Sequence, residues 1–229
     1  MIDDFSNITS LFAELDVNLK KNADVFLIGG GALMRYGLRD HTKDIDIVVS
    51  SEEEYNDLTE AFRSIGFVKQ VPEIEYGRMA MSDILIRGEY RVDLFCQYVC
   101  GKFALSKKMR ERAIPVLALN RLKLSVCSLS DIFLFKSMTE RIGDIEDCFN
   151  MAAEYELDWD AVSDEAEIQS AGDHGVWITW ITERMELLSE RKIRIPILER
   201  MIALSDEYMG KLEKEIEEQE KNRRIIPGQ

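Results

Sequence analysis

VFLIGGGALMRYGLRDHTKDIDIVV, residues 25–49, reads as a strand, a glycine turn, a short helix, a loop and a second strand bearing carboxylates. The apolar run 25–28 stops at Gly29, Gly30 and Gly31. Glycine lets backbone N–H groups approach a bound group closely, and a helix from Ala32 adds its positive end, so the turn suits a phosphate. Further on, Asp44 and Asp46 open the run Asp44-Ile45-Asp46-Ile47-Val48-Val49. Residues two apart in a strand share a face, so both carboxylates leave one side while Ile45 and Ile47 take the other. Two adjacent carboxylates repel unless a cation joins them, and oxygen-only ligands suit magnesium (Mg2+) or manganese (Mn2+). A phosphate turn beside a carboxylate metal site is the pairing that phosphoryl or nucleotidyl transfer needs.

The chain has 229 residues, enough for one large domain or two small ones. Its composition is that of a soluble globular protein, and no apolar run reaches the length of a membrane span. The start, Met1-Ile2-Asp3-Asp4, is acidic and unlike a signal peptide, so a cytoplasmic location is expected. Cys96, Cys100, Cys127 and Cys148 form no CxxC pair and have only two histidines beside them, which argues against zinc and for buried, reduced thiols. The formal charge of −14 argues against a general nucleic-acid coat. That charge is uneven: residues 151–229 hold 19 acidic against 10 basic residues, and residues 102–143 hold nine basic against three acidic. One basic stretch in an acidic protein is suited to guiding an anionic partner to one place.

Apolar spacing predicts a first helix over 3–22, and Ser51 with Glu54 has capping-box spacing for a helix running to 64. Gly66 stops it, and 67–76, with Pro72, reads as an edge strand and loop. Residues 78–87 and 90–98 read as strands of a hairpin turned at Gly88-Glu89, which puts Asp93 at mid-strand. Short extended pieces follow at 114–119 and 122–126, then a helix over 130–141 and another from about 144. From Trp159 on the pattern is helical, near 159–170, 174–188 and 195–219, with the Trp177/Trp180 pair read as core.

The ordered set Gly29-Gly30-x-Ala32-Leu33, Gly37, Arg39, Thr42 and Asp44-x-Asp46 resembles the polymerase-beta-type nucleotidyltransferase superfamily. It is most similar to the small prokaryotic branch of abortive-infection, toxin–antitoxin and antibiotic nucleotidyltransferases. The resemblance covers about residues 23–150. It implies a nucleotidyltransferase domain over 1–150 and a helical subdomain over 151–229. The fold class is α/β (α+β in finer terms): a small mixed sheet with helices on one side, then a helical C-terminal part. It further implies a third catalytic carboxylate on a neighbouring strand, which Arg91-Val92-Asp93-Leu94-Phe95 supplies. Asp44, Asp46 and Asp93 would then hold Mg2+ or Mn2+, with Asp93 on the acceptor side. Gly29, Gly30, Arg39, Thr42 and Lys136 would hold a nucleoside triphosphate. Arg141, Asp144 and Asp147 match looser parts of the pattern. Many relatives follow the first glycine with a serine; here that position is Gly30, so the phosphate contact rests on backbone alone.

The expected reaction moves NMP from an NTP to an acceptor hydroxyl, in a toxin–antitoxin or defence context. Candidate acceptors are a tRNA 3′ end or another RNA, a protein partner, or a small antibiotic. The alternative is a non-catalytic antitoxin or regulatory partner, against which the retention of three carboxylates speaks. A DxD glycosyltransferase would lack the glycine turn, and GGGAL is not the GxGxxG of a dinucleotide site.

Overall fold

The structure, a computed structural model, describes residues 1–70, 82–99, 101, 103–171 and 176–225. Lys102, Cys100, Pro72, His174 and the start of the strand expected from Arg78 lie outside the described residues. The chain divides into two compact units, Met1–Lys136 and Ser137–Gln229. Residue 150 falls inside a helix of the second.

The first helix, α1 (Phe5–Asp16), is capped by Asp4, whose carboxylate accepts from the Ser6 N–H at 2.7 Å. It ends before residue 22. Beyond it the Asp57 carboxylate takes the backbone N–H groups of Lys20 and Lys21, at 3.1 and 3.0 Å, as the chain leads into the sheet. Strand β1 (Ala23–Ile28) runs straight into helix α2 (Gly29–Arg35). The three glycines expected to precede that helix are its first turn. After Gly37 the loop to Asp44 is tied to the N-terminus by a two-way backbone bridge between Ile2 and Thr42.

Strand β2 (Ile45–Val49) leads to α3 (Glu52–Ser64), and here the capping box forms as read. Ser51 Oγ accepts from the Glu54 N–H at 3.2 Å, while Glu54 Oε2 takes the Ser51 hydroxyl at 3.0 Å and the Ser50 N–H at 3.2 Å. The edge strand is β3 (Val68–Gln70), and the hairpin is β4 (Asp83–Arg87) and β5 (Tyr90–Cys96) around Gly88 at φ +57°. A two-stranded piece, β6 (Tyr98–Val99) with β7 (Phe103–Ala104), follows. Then come α4 (Lys107–Arg112), the antiparallel pair β8 (Ile114–Ala118) and β9 (Leu122–Val126), and α5 (Leu129–Ser137).

These strands make one seven-stranded mixed sheet, in the order β3-β4-β5-β2-β1-β9-β8. The α/β (α+β) architecture expected from the sequence is observed, with a larger sheet than foreseen. Alternation along the strands sorts the two faces. Val25, Leu27, Ile45, Ile47, Val92, Leu94 and Leu124 share one face and are fully buried. Each such side chain contributes about 1.5–3 kcal/mol relative to exposure. Helix α1 meets this face through Ile8, and Gly31 permits the approach: a Cβ there would stand 3.3 Å from both Ile8 and Leu27. Asp16 closes the far end of α1, accepting backbone N–H groups of Arg121 and Leu122 at 2.7 and 2.8 Å. The opposite face carries Asp46, Asp93 and Arg91.

The second unit is helical as expected: α6 (Ile142–Glu154), α7 (Trp159–Ser170), α8 (Val176–Glu190) and α9 (Leu198–Ile225). α5 stops at Ser137 and not near 141, because Asp144 gathers the Thr139 hydroxyl at 2.5 Å and Arg141 Nε at 2.9 Å around the start of α6. Trp177 and Trp180 stack edge to face at 5.6 Å between centroids, and Trp177 is buried, in line with a core role. Cys127 and Cys148 are buried cysteines, and Cys96 is half-buried.

Candidate active site

Register brings the first two carboxylate-bearing strands together. β1 pairs antiparallel with β2 so that Ile28, the last residue before the glycines, faces Asp46. β2 pairs parallel with β5 so that Asp46 faces Asp93. Directly opposed residues on neighbouring strands point to the same side, with Cβ atoms about 5 Å apart. Two carboxylates from positions 47 residues apart in the chain are therefore neighbours on one face, at the end of β1 where the glycine turn begins. Asp44 precedes β2 and is half-buried.

The glycines fit tightly against this group. Gly29 has φ +63°, and a Cβ on it would stand 2.0 Å from Asp46 Oδ2. Only glycine satisfies both the left-handed backbone and the contact. A Cβ on Gly30 would stand 2.5 Å from Thr42 Oγ1 and 3.5 Å from an Arg39 guanidinium nitrogen. Thr42 is buried and cannot give way easily, since it is β-branched and its hydroxyl donates to the Asp44 carbonyl at 2.9 Å. The serine of many relatives has no room here. Thr42 thus ties the loop to Asp44, and Arg39 brings a cation beside the glycine turn. These contacts join Gly29, Gly30, Arg39, Thr42, Asp44, Asp46 and Asp93. Lys136 belongs to a different element, the last turn of α5, where it is buried. Arg141 and Asp144 bind each other in the second unit, where Asp147 is also buried.

One residue of the group escaped the sequence reading. Arg91 lies two residues before Asp93 on β5 and holds both of its oxygens, Nε to Oδ1 and Nη2 to Oδ2, each at 2.8 Å. The same i, i+2 rule that paired Asp44 with Asp46 also puts Arg91 on the face of Asp93. The Asp93 hydrogen bonds raise the Arg91 pKa above its ordinary value; partial burial opposes this, and the charges of Asp93, Asp44 and Asp46 add to it. The guanidinium thus sits in the field of all three carboxylates.

An all-oxygen donor set of this kind fits a hard divalent cation in its chemistry. As the side chains stand, no three His, Cys, Asp or Glu groups among the described residues form a ready ligand cage.

Belonging follows from sequence. The chain is a member of the family described as "Nucleotidyltransferase of unknown function (DUF6036)", whose sequence model matches residues 6–172. No curated protein sequence matches it. Among solved structures it is similar to ANT(2")-Ia in complex with adenylyl-2"-tobramycin, with 13% identity and a TM-score of 0.48, over 73% of this chain and 97% of that one. No helix among the described residues is long and apolar enough to cross a membrane.

Proposed function

We propose that this nucleotidyltransferase-family protein moves a nucleoside monophosphate from a nucleoside triphosphate to an acceptor hydroxyl, with a divalent cation at Asp44, Asp46 and Asp93. The observation that carries the reading is the cross-strand register of Asp46 with Asp93, set against a glycine turn too tight for any side chain. Mg2+ or Mn2+ at those carboxylates would neutralise triphosphate charge and lower the pKa of the attacking hydroxyl. The chain's own groups do the rest. Gly29 and Gly30 offer backbone that a phosphate can approach, and Arg39 stands beside them to balance its charge. Asp93 is the group to receive the hydroxyl proton as the new phosphate–oxygen bond forms and pyrophosphate leaves. Lys136 is the weaker candidate for the triphosphate.

For the acceptor we favour RNA, with a tRNA 3′ end as the first candidate and a toxin–antitoxin or defence setting. The support is electrostatic. Lys107, Lys108 and Arg110 are exposed on α4 in a protein of charge −14. Lys107 and Arg110 line a cleft of about 500 Å3 with Lys123 of β9, where three basic residues outnumber the two acidic ones, Asp24 and Glu111. Arg112, at the end of the same helix, is turned onto buried Asp131 instead. A cationic antibiotic would find this cleft less favourable than a phosphate chain would. Buried cysteines such as Cys127 accord with the reducing cytoplasm we assign to the protein.

Each labelled nucleoside triphosphate should be incubated with the protein, magnesium and total cellular RNA or protein. The expected result is label in an RNA fraction, lost in Asp44→Asn/Asp46→Asn together with metal-dependent triphosphate binding. Unchanged calorimetric triphosphate binding in that double variant would sink the metal assignment. Label in protein or a small molecule would move the acceptor, not the chemistry.

A further inference from the structure

We propose that Arg91 is a resident counter-ion that occupies Asp93 until a divalent cation and a triphosphate arrive together, and so makes the two bind as a pair. The inference rests on the reading above and goes beyond it by giving the site an order of assembly.

The argument is geometric. Both oxygens of Asp93 are engaged by one planar fork, at 2.8 Å each, so a cation that reaches Asp93 while the fork stays meets a carboxylate whose charge is already offset and one lone pair of each oxygen already spent. The fork is also free to leave. Arg91 keeps 43% of its side-chain surface exposed, against 12% for Asp93, so it can swing outward without opening the core. Without a counter-charge, the facing carboxylates of Asp46 and Asp93 would repel one another, with Asp44 nearby; Arg91 offsets that cost. A cation binding alone must compete with Arg91 for the charge of Asp93 and weaken that ion pair. A triphosphate arriving with the cation offers Arg91 new anionic oxygens of the same geometry. Each ligand thereby lowers the cost of the other, and such coupling is reciprocal. Arg91 acts here as a positioning residue, through Asp93 and ahead of any chemistry.

The test is Mn2+ binding followed by the spectroscopic signal of the free ion, with and without a non-hydrolysable NTP analogue. Wild type should bind Mn2+ weakly alone and more tightly with the analogue. Arg91→Met should bind Mn2+ alone roughly tenfold more tightly than wild type, and its gain from the analogue should shrink by a similar factor. Arg91→Lys, which keeps charge but loses the fork, should fall between. A merely structural arginine would not tighten metal binding when removed. Mn2+ affinity unchanged or weakened in Arg91→Met would overturn the inference and leave the metal assignment standing. No Mn2+ bound by any of the three proteins, even with the analogue, would overturn both.

Discussion

Two arginine–aspartate pairs in the first unit have similar chemistry and different surroundings. Arg112 reaches Asp131 with Nη2 at 2.6 Å and Nε at 3.3 Å, and Arg91 reaches Asp93 with two contacts of 2.8 Å. Asp131 is wholly buried, and it also takes the Ser128 hydroxyl at 2.6 Å while its own N–H donates to Ser128 Oγ at 3.2 Å. That carboxylate is satisfied from several sides and joins α4 to the start of α5. Asp93 instead belongs to a group of three carboxylates sharing one half-exposed guanidinium. A balanced buried pair is a fastener. An unbalanced pair with a half-exposed arginine is a place held for something else.

The sharpest way to break this contrast is to remove each arginine and measure stability. Arg112→Met leaves a buried charge without its partner and should cost about 3–5 kcal/mol in denaturant unfolding. Arg91→Met should cost less than that, because Arg91 and Asp93 keep 43% and 12% of their side-chain surface exposed, against 24% and 0% for Arg112 and Asp131, so water can reach the carboxylate it leaves. Equal losses would erase the distinction between fastener and held place.

The next effect is catalytic. Asp93→Asn should lower the transfer rate by roughly a hundredfold or more while triphosphate binding persists, as for loss of one transition-state interaction. Full activity in that variant would mean that another group, with Glu89 of the same hairpin first in line, does the work. Single-turnover rates beside calorimetric binding would separate the two effects.

A third carboxylate sharpens the comparison from the other side, with the smallest effect. Burial pushes the Asp16 pKa up, but the backbone N–H groups of Arg121, Leu122 and Asn120, with the Arg121 charge, hold it below the usual 3.8. A depressed folded pKa contributes stability that is fully present above pH 3.8 and is lost as pH falls through the folded value. Asp16→Asn should therefore lose about 1.5 kcal/mol at neutral pH, and the gap from wild type should close on acidification below that value. A gap constant down to strong acid would show that Asp16 acts through shape alone.

Much of this was legible in the linear chain because the signals are local. The Ser51–Glu54 box, the Gly88–Glu89 turn and the alternation around Asp44 and Asp46 lie within a few residues, where backbone geometry alone decides which side chains meet. The face shared by Arg91 and Asp93 was equally local and was overlooked, because arginine beside an apolar strand reads as surface charge. Three things needed the tertiary structure. Helix α1 ends at Asp16 and does not run on to residue 22, where Asp57, far along the chain, holds the N–H groups of Lys20 and Lys21 instead. Asp46 faces Asp93 only through strand register, and Arg112 leaves the basic stretch only because Asp131 is buried within its reach. Residue types and spacing determined which groups could serve a nucleotidyl transfer. Long-range pairing decided which of them stand together, since the free energy of burying an uncompensated charge depends on neighbours that no local window contains.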